Sequence, residues 1–186
     1  EPHEFVSIVG QSGAGKSTLL KLLLREERPS TGKIFFESTD ISKVSKNKIH
    51  HLRRKIGSIF QDYKLLPTKT AYENVAFAME ANGAKEERIE SDVPQVLDLV
   101  GLRDKLFHFP DELSGGEKQR LAIARAIINQ PEVILADEPT GNLDPINTLD
   151  IIKLLAKINE LGTTVILTTH NKEIVDALDK RVITME

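Results

Sequence analysis

The residues of this chain best suited to chemistry begin at Gly10 and run through Gln11, Ser12, Gly13, Ala14, Gly15, Lys16, Ser17 and Thr18. They fit G-x-x-x-x-G-K-[ST], the spacing of a loop that cradles phosphate. Gly10, Gly13 and Gly15 let the backbone curl so that its N–H groups converge on phosphate oxygens. A helix beginning inside the loop adds partial positive charge at the same point. Lys16 is then placed to reach β- and γ-phosphates, and the Ser17 hydroxyl to hold Mg²⁺. Such a site needs a carboxylate at the end of a neighbouring strand. The apolar run Val133 to Ala136 supplies one, ending in Asp137 and Glu138. Asp137 suits Mg²⁺, and Glu138, one residue on, suits a general base acting on water. Between these two motifs lie Ser114, Gly115 and Gly116, directly ahead of a helical pattern. That is a second helix N-terminus able to take phosphate. One γ-phosphate does not need two cradles from one chain, which points to a head-to-tail dimer with each nucleotide held between two copies.

The elements that must carry these residues alternate between short apolar runs and longer helical patterns. Residues 5–9, 34–36, 56–60, 133–136, 164–168 and 181–185 read as strands. Residues 16–26, 72–82, 86–100, 116–130, 146–160 and 172–178 read as helices. This alternation implies an α/β fold with a mostly parallel sheet and crossover helices. Residues 62 to about 115 hold helices and no strand, and read as a helical insertion beside a core made of 1–61 and 116–186, all in one domain. Lys43 to Lys55 is the one concentrated basic run, read as a solvated surface helix.

Composition narrows the function classes. The 186 residues carry 25 Lys plus Arg against 28 Asp plus Glu, a net charge of −3. That balance argues against a protein that coats nucleic acid, so no nucleic-acid partner is expected. Cysteine is absent, which excludes disulfides, thiolate metal sites and cysteine nucleophiles. No apolar run is long enough to span a bilayer.

Taken together, the motifs resemble those of the ATP-binding-cassette (ABC) ATPases, a P-loop NTPase family, over essentially the whole chain. In order, the chain has the phosphate loop, Gln61, the Leu113-Ser-Gly-Gly signature, Asp137-Glu138, Gly141-Asn142-Leu143-Asp144, and His170. The resemblance implies an ATP hydrolase with Mg²⁺ as cofactor. It implies that Gln61 senses Mg²⁺ and the attacking water and links the site to the helical subdomain. It further implies that Ser114, Gly115 and Gly116 bind the γ-phosphate held by a second copy of the chain. Asp144 would sit at the dimer seam, and His170 would hydrogen-bond the γ-phosphate.

Phe60 to Pro67 and Lys69 to Ala78 are similar to the cell-division branch of that family. Members of that branch pair with an FtsX-like membrane protein at the cytoplasmic face of the bacterial membrane and act indirectly on a peptidoglycan hydrolase outside. Residues 62–82 are where the membrane partner is expected to dock. The alternative is the motor of a lipoprotein-release or macrolide-export transporter, which shares Ala136 to Pro145. Two further readings, a soluble ATPase acting on DNA or ribosomes and a module that closes on ATP without turnover, fit less well. The family places two or more strands and an adenine-stacking aromatic before the phosphate-loop strand, and a closing hairpin at the end. This chain starts at Glu1-Pro2-His3-Glu4 and stops at Glu186. It is therefore expected to be a fragment or a shortened chain, with Phe35 and Phe36 deprived of strand neighbours.

Overall fold

Five strands of this chain lie side by side, four of them largely buried by the helices that connect them and the fifth, at residues 181–184, exposed along its length. In the computed structural model, which describes the backbone of residues 1–186 and all side chains but those of 172, 173 and 177, the sheet comprises β1 (Phe5–Val9), β4 (Ile56–Phe60), β5 (Val133–Asp137), β6 (Thr164–Thr169) and β7 (Arg181–Thr184). Their spatial order is β4-β5-β6-β1-β7, and every pairing is parallel. Strands covered on both faces read as continuous apolar runs, and Ile134, Leu135 and Ala136 of β5 are all buried. The α/β class and the parallel sheet agree with the expectation from sequence.

The register matters more than the order. Phe60 pairs with Asp137, Asp137 with Thr168, Val9 with Thr169, and Val9 with Thr184. The carboxyl ends of all five strands therefore form one row. The residues that follow them are Gln61, Glu138, His170, Gly10 and Met185. In open parallel sheets this edge is where ligands bind.

Two helices precede β4: α1 (Lys16–Leu23) and the short α2 (Ile49–Arg54). A small core of Leu20, Leu24, Ile41, Leu52, Ile56 and Leu135 lies beneath them. Between β4 and β5 run α3 (Ala71–Glu80), α4 (Glu86–Leu99) and α5 (Gly115–Ile127), with no strand. Helix α4 buries Ile89, Val93 and Leu97 at a four-residue spacing, and this face keeps the segment helical despite the internal Pro94. Helix α5 approaches β4 closely, since a Cβ at Gly57 would stand 2.6 Å from the Ala126 carbonyl oxygen. The α6 (Pro145–Glu160) and α7 (Lys172–Leu178) helices complete the chain's crossovers.

The structure departs from the sequence reading in residues 34–55. Phe35 and Phe36 form a two-residue strand, β2, paired antiparallel with β3 (Thr39–Asp40), apart from the main sheet. Glu37 makes the intervening reversal with a positive φ of 52°. The basic run is not one helix. It holds two single 3₁₀ turns, 41–43 and 46–48, and then α2. Within it Lys55 is committed to Glu132 at 2.9 Å and Glu37 at 3.2 Å, and the Arg53 Nε donates to the Leu24 carbonyl at 3.0 Å.

Asn74 fastens α3 to the loop that follows β4. It is fully buried. Its Oδ1 accepts from the Leu66 N–H at 2.8 Å, and its Nδ2 faces the carbonyls of Leu66, Lys69 and Thr70 at 2.9–3.1 Å. Asn74→Ala leaves the Leu66 N–H and the Lys69 carbonyl without their partner, while the Leu66 and Thr70 carbonyls keep backbone donors. A loss of about 2–4 kcal/mol is expected in urea unfolding, from two groups each costing about 1–3 kcal/mol.

Candidate nucleotide site

The loop after β1 is built for close approach of its backbone. Gly13 and Gly15 hold φ of 88° and 93°, values that side chains resist. A Cβ at Gly10 would meet the Met185 carbonyl oxygen at 2.6 Å, so glycine there lets β7 and the loop lie against each other. The Met185 N–H closes the same contact by donating to the Val9 carbonyl at 2.7 Å.

Lys16, the first residue of α1, is only 5% exposed. Its ammonium donates to the Gly10 and Gln11 carbonyls at 2.8 and 3.1 Å and pairs with Glu138 at 3.3 Å. Glu138 in turn faces the His170 Nδ1 at 2.9 Å. The backbone of Glu138 is left-handed, with φ of 44°. Such a conformation in a non-glycine residue costs on the order of 1–3 kcal/mol and is held by its surroundings. Here the Glu138 N–H donates to both the carbonyl and the hydroxyl of Thr168, each at 3.1 Å. The turn directs the Glu138 carboxylate back over the phosphate loop.

Asp137 is held from two sides. The Ser17 hydroxyl donates to its Oδ1 at 3.1 Å, and the Thr168 hydroxyl donates to the same oxygen at 2.7 Å. Ser17 and Asp137 are hard oxygen donors side by side, the kind Mg²⁺ takes together with phosphate oxygens and its own waters. The donor set therefore fits that ion. Thr18 follows on α1 and is exposed.

Beside them is a pocket of about 970 Å³ lined by Val9 to Ala14, Glu138, His170 and residues 184–186. The structure brings Gly10 through Ser17, Asp137, Glu138 and His170 into one cluster. Gln61 stands to the side, bonded to Asn142 through both its carbonyl (3.0 Å) and its side chain (3.3 Å). Gly141 permits that contact, because a Cβ there would meet the Gln61 amide at 2.7 Å.

Ser114, Gly115 and Gly116 do not line this pocket. They open α5 elsewhere, in a capping box where the Glu117 N–H donates to the Ser114 hydroxyl and the Ser114 N–H donates to the Glu117 carboxylate. The Ser114 N–H holds the Glu117 carboxyl below the ordinary range. Asp144 caps α6 in the same neighbourhood, accepting from the Ile146 and Asn147 N–H groups at 3.0 Å each. Those bonds, the Asn147 backbone foremost, also hold its carboxyl low. Asn147 reaches between the two helix starts, since a Cβ at Gly116 would stand 2.1 Å from its Oδ1.

Sequence reasoning placed Asn142 in a motif without its contact to Gln61, and it missed Thr168, which orients both acids, and Asn147, which reaches between two helix starts. It also missed Met185, which sits against Gly10. None carries a local signal, because each acts across a contact that only folding creates.

Comparison with known proteins agrees with this geometry. Residues 1–141 match the family described as ABC transporter. The chain belongs to that family of ATP-binding cassettes. Its similarity is specific within the family: it is 54% identical over its whole length to the cell division ATP-binding protein FtsE of Bacillus subtilis, covering 81% of that protein. The FtsE of Escherichia coli is 47% identical, again over the whole chain and 83% of its own length. Among solved structures, the ATP-binding cassette MJ0796, a dimer bound to ADP and Pi, superposes with a TM-score of 0.89. It is 35% identical over the whole chain and 82% of its own.

Thr168 supplies a test of the site's architecture. Thr168→Val removes the hydroxyl shared by Asp137 and the Glu138 N–H, while Thr168→Ser keeps it. Unfolding in urea should show the Val variant less stable by about 1–3 kcal/mol, with the Ser variant closer to the parent.

Proposed function

We propose that this chain binds ATP with Mg²⁺ and hydrolyses it as one half of a head-to-tail homodimer. The observation that carries the reading is the convergence of Lys16, Glu138 and His170 on the phosphate loop, with Ser114 to Gly116 set apart from that pocket. A cradle that takes no part in its own chain's pocket is what a second copy would use.

In this reading Lys16 exchanges Glu138 for phosphate oxygens when ATP enters. Glu138 is then free to take a proton from water, with His170 beside it contacting the γ-phosphate. The water oxygen bonds to the γ-phosphorus, the bond to the β–γ bridging oxygen breaks, and ADP and inorganic phosphate result. Mg²⁺, held by Ser17 and Asp137 near Gln61, would supply neutralising charge to the phosphates. Gln61 would sense the metal and the attacking water, and Asp144 would sit at the dimer seam.

The similarity to FtsE proteins along the whole chain supports a particular setting. The chain would be the ATPase subunit of a cell-division complex, paired with an FtsX-like membrane protein and acting indirectly on a peptidoglycan hydrolase. No helix among the described side chains is long and apolar enough to cross a membrane. Attachment to the cytoplasmic face would then come through the partner. Residues 62–115 would move as a helical subdomain when the dimer closes, and residues 62–82 would carry the partner.

Lys16→Ala should lose ATP binding. Glu138→Gln should bind ATP yet turn it over at least about a hundredfold more slowly. Nucleotide-binding and phosphate-release assays measure the two effects, and near-normal turnover by Glu138→Gln would overturn the assignment.

A further inference from the structure

The two glycines that open α5 are not there for their backbone freedom. Neither Gly115 nor Gly116 has a positive φ, and both lie within the helix. Glycine is a poor helix former, so where no left-handed backbone demands it, close approach of another group is the reason to look for. At Gly116 that group belongs to the chain itself. A Cβ there would collide with the Asn147 Oδ1 and stand 2.6 Å from the Asn147 Cγ. The neighbouring Gly115 faces the same segment, with a Cβ there standing 3.5 Å from the Leu143 Cδ2.

Asn147 is gripped from its other end by Asp144, the N-cap of α6. One carboxylate oxygen of Asp144 accepts from the backbone N–H groups of Ile146 and Asn147, each at 3.0 Å. The second oxygen accepts from the Asn147 Nδ2 at 2.5 Å. The amide is therefore donated to the cap of α6 on one side, and its oxygen lies on the first turn of α5 on the other. Further along, the two helices share one apolar core, with Leu121 and Ile123 of α5 and Ile151 and Leu155 of α6 all fully buried. Asn147 extends that packing to the polar ends of both helices.

We propose that Asn147 is a positioning residue that fastens Ser114 to Gly116 onto the Asp144 cap, so that both reach a second copy's nucleotide as one preset surface. The proposal rests on the head-to-tail dimer reading and adds how the surface offered to the other chain is held in register. Two segments free to shift separately would each lose freedom when the copies meet, and fastening them beforehand lowers that cost. The contact also gives Gly116 a reason within its own chain to be glycine, separate from any phosphate it approaches. An Ala at 116 would displace the Asn147 amide and, through it, the Asp144 carboxylate. Neither Asn147 nor Gly116 lines the pocket beside the phosphate loop, so nucleotide held by the chain's own loop is not touched by either.

A double-mutant cycle tests this. Asn147→Ala, Gly116→Ala and the pair are made in the whole chain carrying Glu138→Gln, and dimerisation with Mg²⁺-ATP is followed by sedimentation. Melting temperature, and ATP affinity at protein concentrations too low for dimers, are measured alongside. Asn147→Ala should melt close to the parent, because Asp144 still caps α6 through two backbone N–H groups. Its ATP-bound dimer should be weaker by about tenfold, with the monomer's ATP affinity unchanged. Gly116→Ala should weaken the dimer further, and adding Asn147→Ala should restore at least about tenfold of that loss, since the methyl then has room. Should Gly116→Ala fail to fold, the Asn147→Ala comparison decides alone. An Asn147→Ala dimer as tight as the parent's, whatever its melting temperature, overturns the coupling and leaves the dimer reading intact. So does a pair that dimerises no better than Gly116→Ala alone. A parent chain that stays monomeric at saturating Mg²⁺-ATP overturns both.

Discussion

Lys16 carries a full charge to a place where 5% of its surface remains exposed, and the rest of the site is arranged around that constraint. A buried ammonium needs several oxygen partners. The protein supplies two carbonyls from the loop's own curl and one carboxylate from the end of β5. The first two require the loop to double back, which Gly13 and Gly15 allow. The third requires β5 to end level with β1, although β6 lies between them. The Lys16–Glu138 contact thus fixes the local turn and the register of three strands at once.

Thr168 is what makes that register chemically useful. It sits on β6 between the two strands, orders Asp137 through its hydroxyl, and accepts the Glu138 N–H. The two adjacent acids are thereby turned to different tasks, Asp137 toward Ser17 and Glu138 toward Lys16 and His170. A single buried hydroxyl thus turns two adjacent carboxylates toward different partners. The left-handed backbone at Glu138 is the strain that accompanies this arrangement.

The sheet and the phosphate loop were legible in the sequence because both depend on local signals. A strand buried on both faces is an apolar run, and a loop that wraps phosphate needs glycines at fixed spacing. The Val133 to Ala136 run and the Gly10 to Ser17 loop are both of this kind. What escaped the sequence depends on distant contacts or on very short elements. The β2–β3 ribbon has two residues per strand and turns at Glu37, a residue type with no turn preference to betray it. Thr168 and Asn147 look like ordinary polar residues until folding brings Asp137 and Gly116 against them. A cleft of about 680 Å³ lies between α2 and α5, about seventy residues apart in sequence, so the run from Lys43 to Lys55 could not announce that Arg53 and Arg54 face a cavity while Lys55 is already paired.

The central claim is that the nucleotide site is finished by a second copy of the chain, because Ser114 to Gly116 do not line the pocket beside the phosphate loop. Sedimentation velocity on the Glu138→Gln chain, with and without Mg²⁺-ATP and with Ser114→Arg added, examines that claim most directly. The account predicts a monomer without ATP, a dimer with it, and loss of the ATP-dependent dimer when Ser114 becomes Arg. A monomer at saturating ATP, or a dimer indifferent to both nucleotide and Ser114, would contradict it.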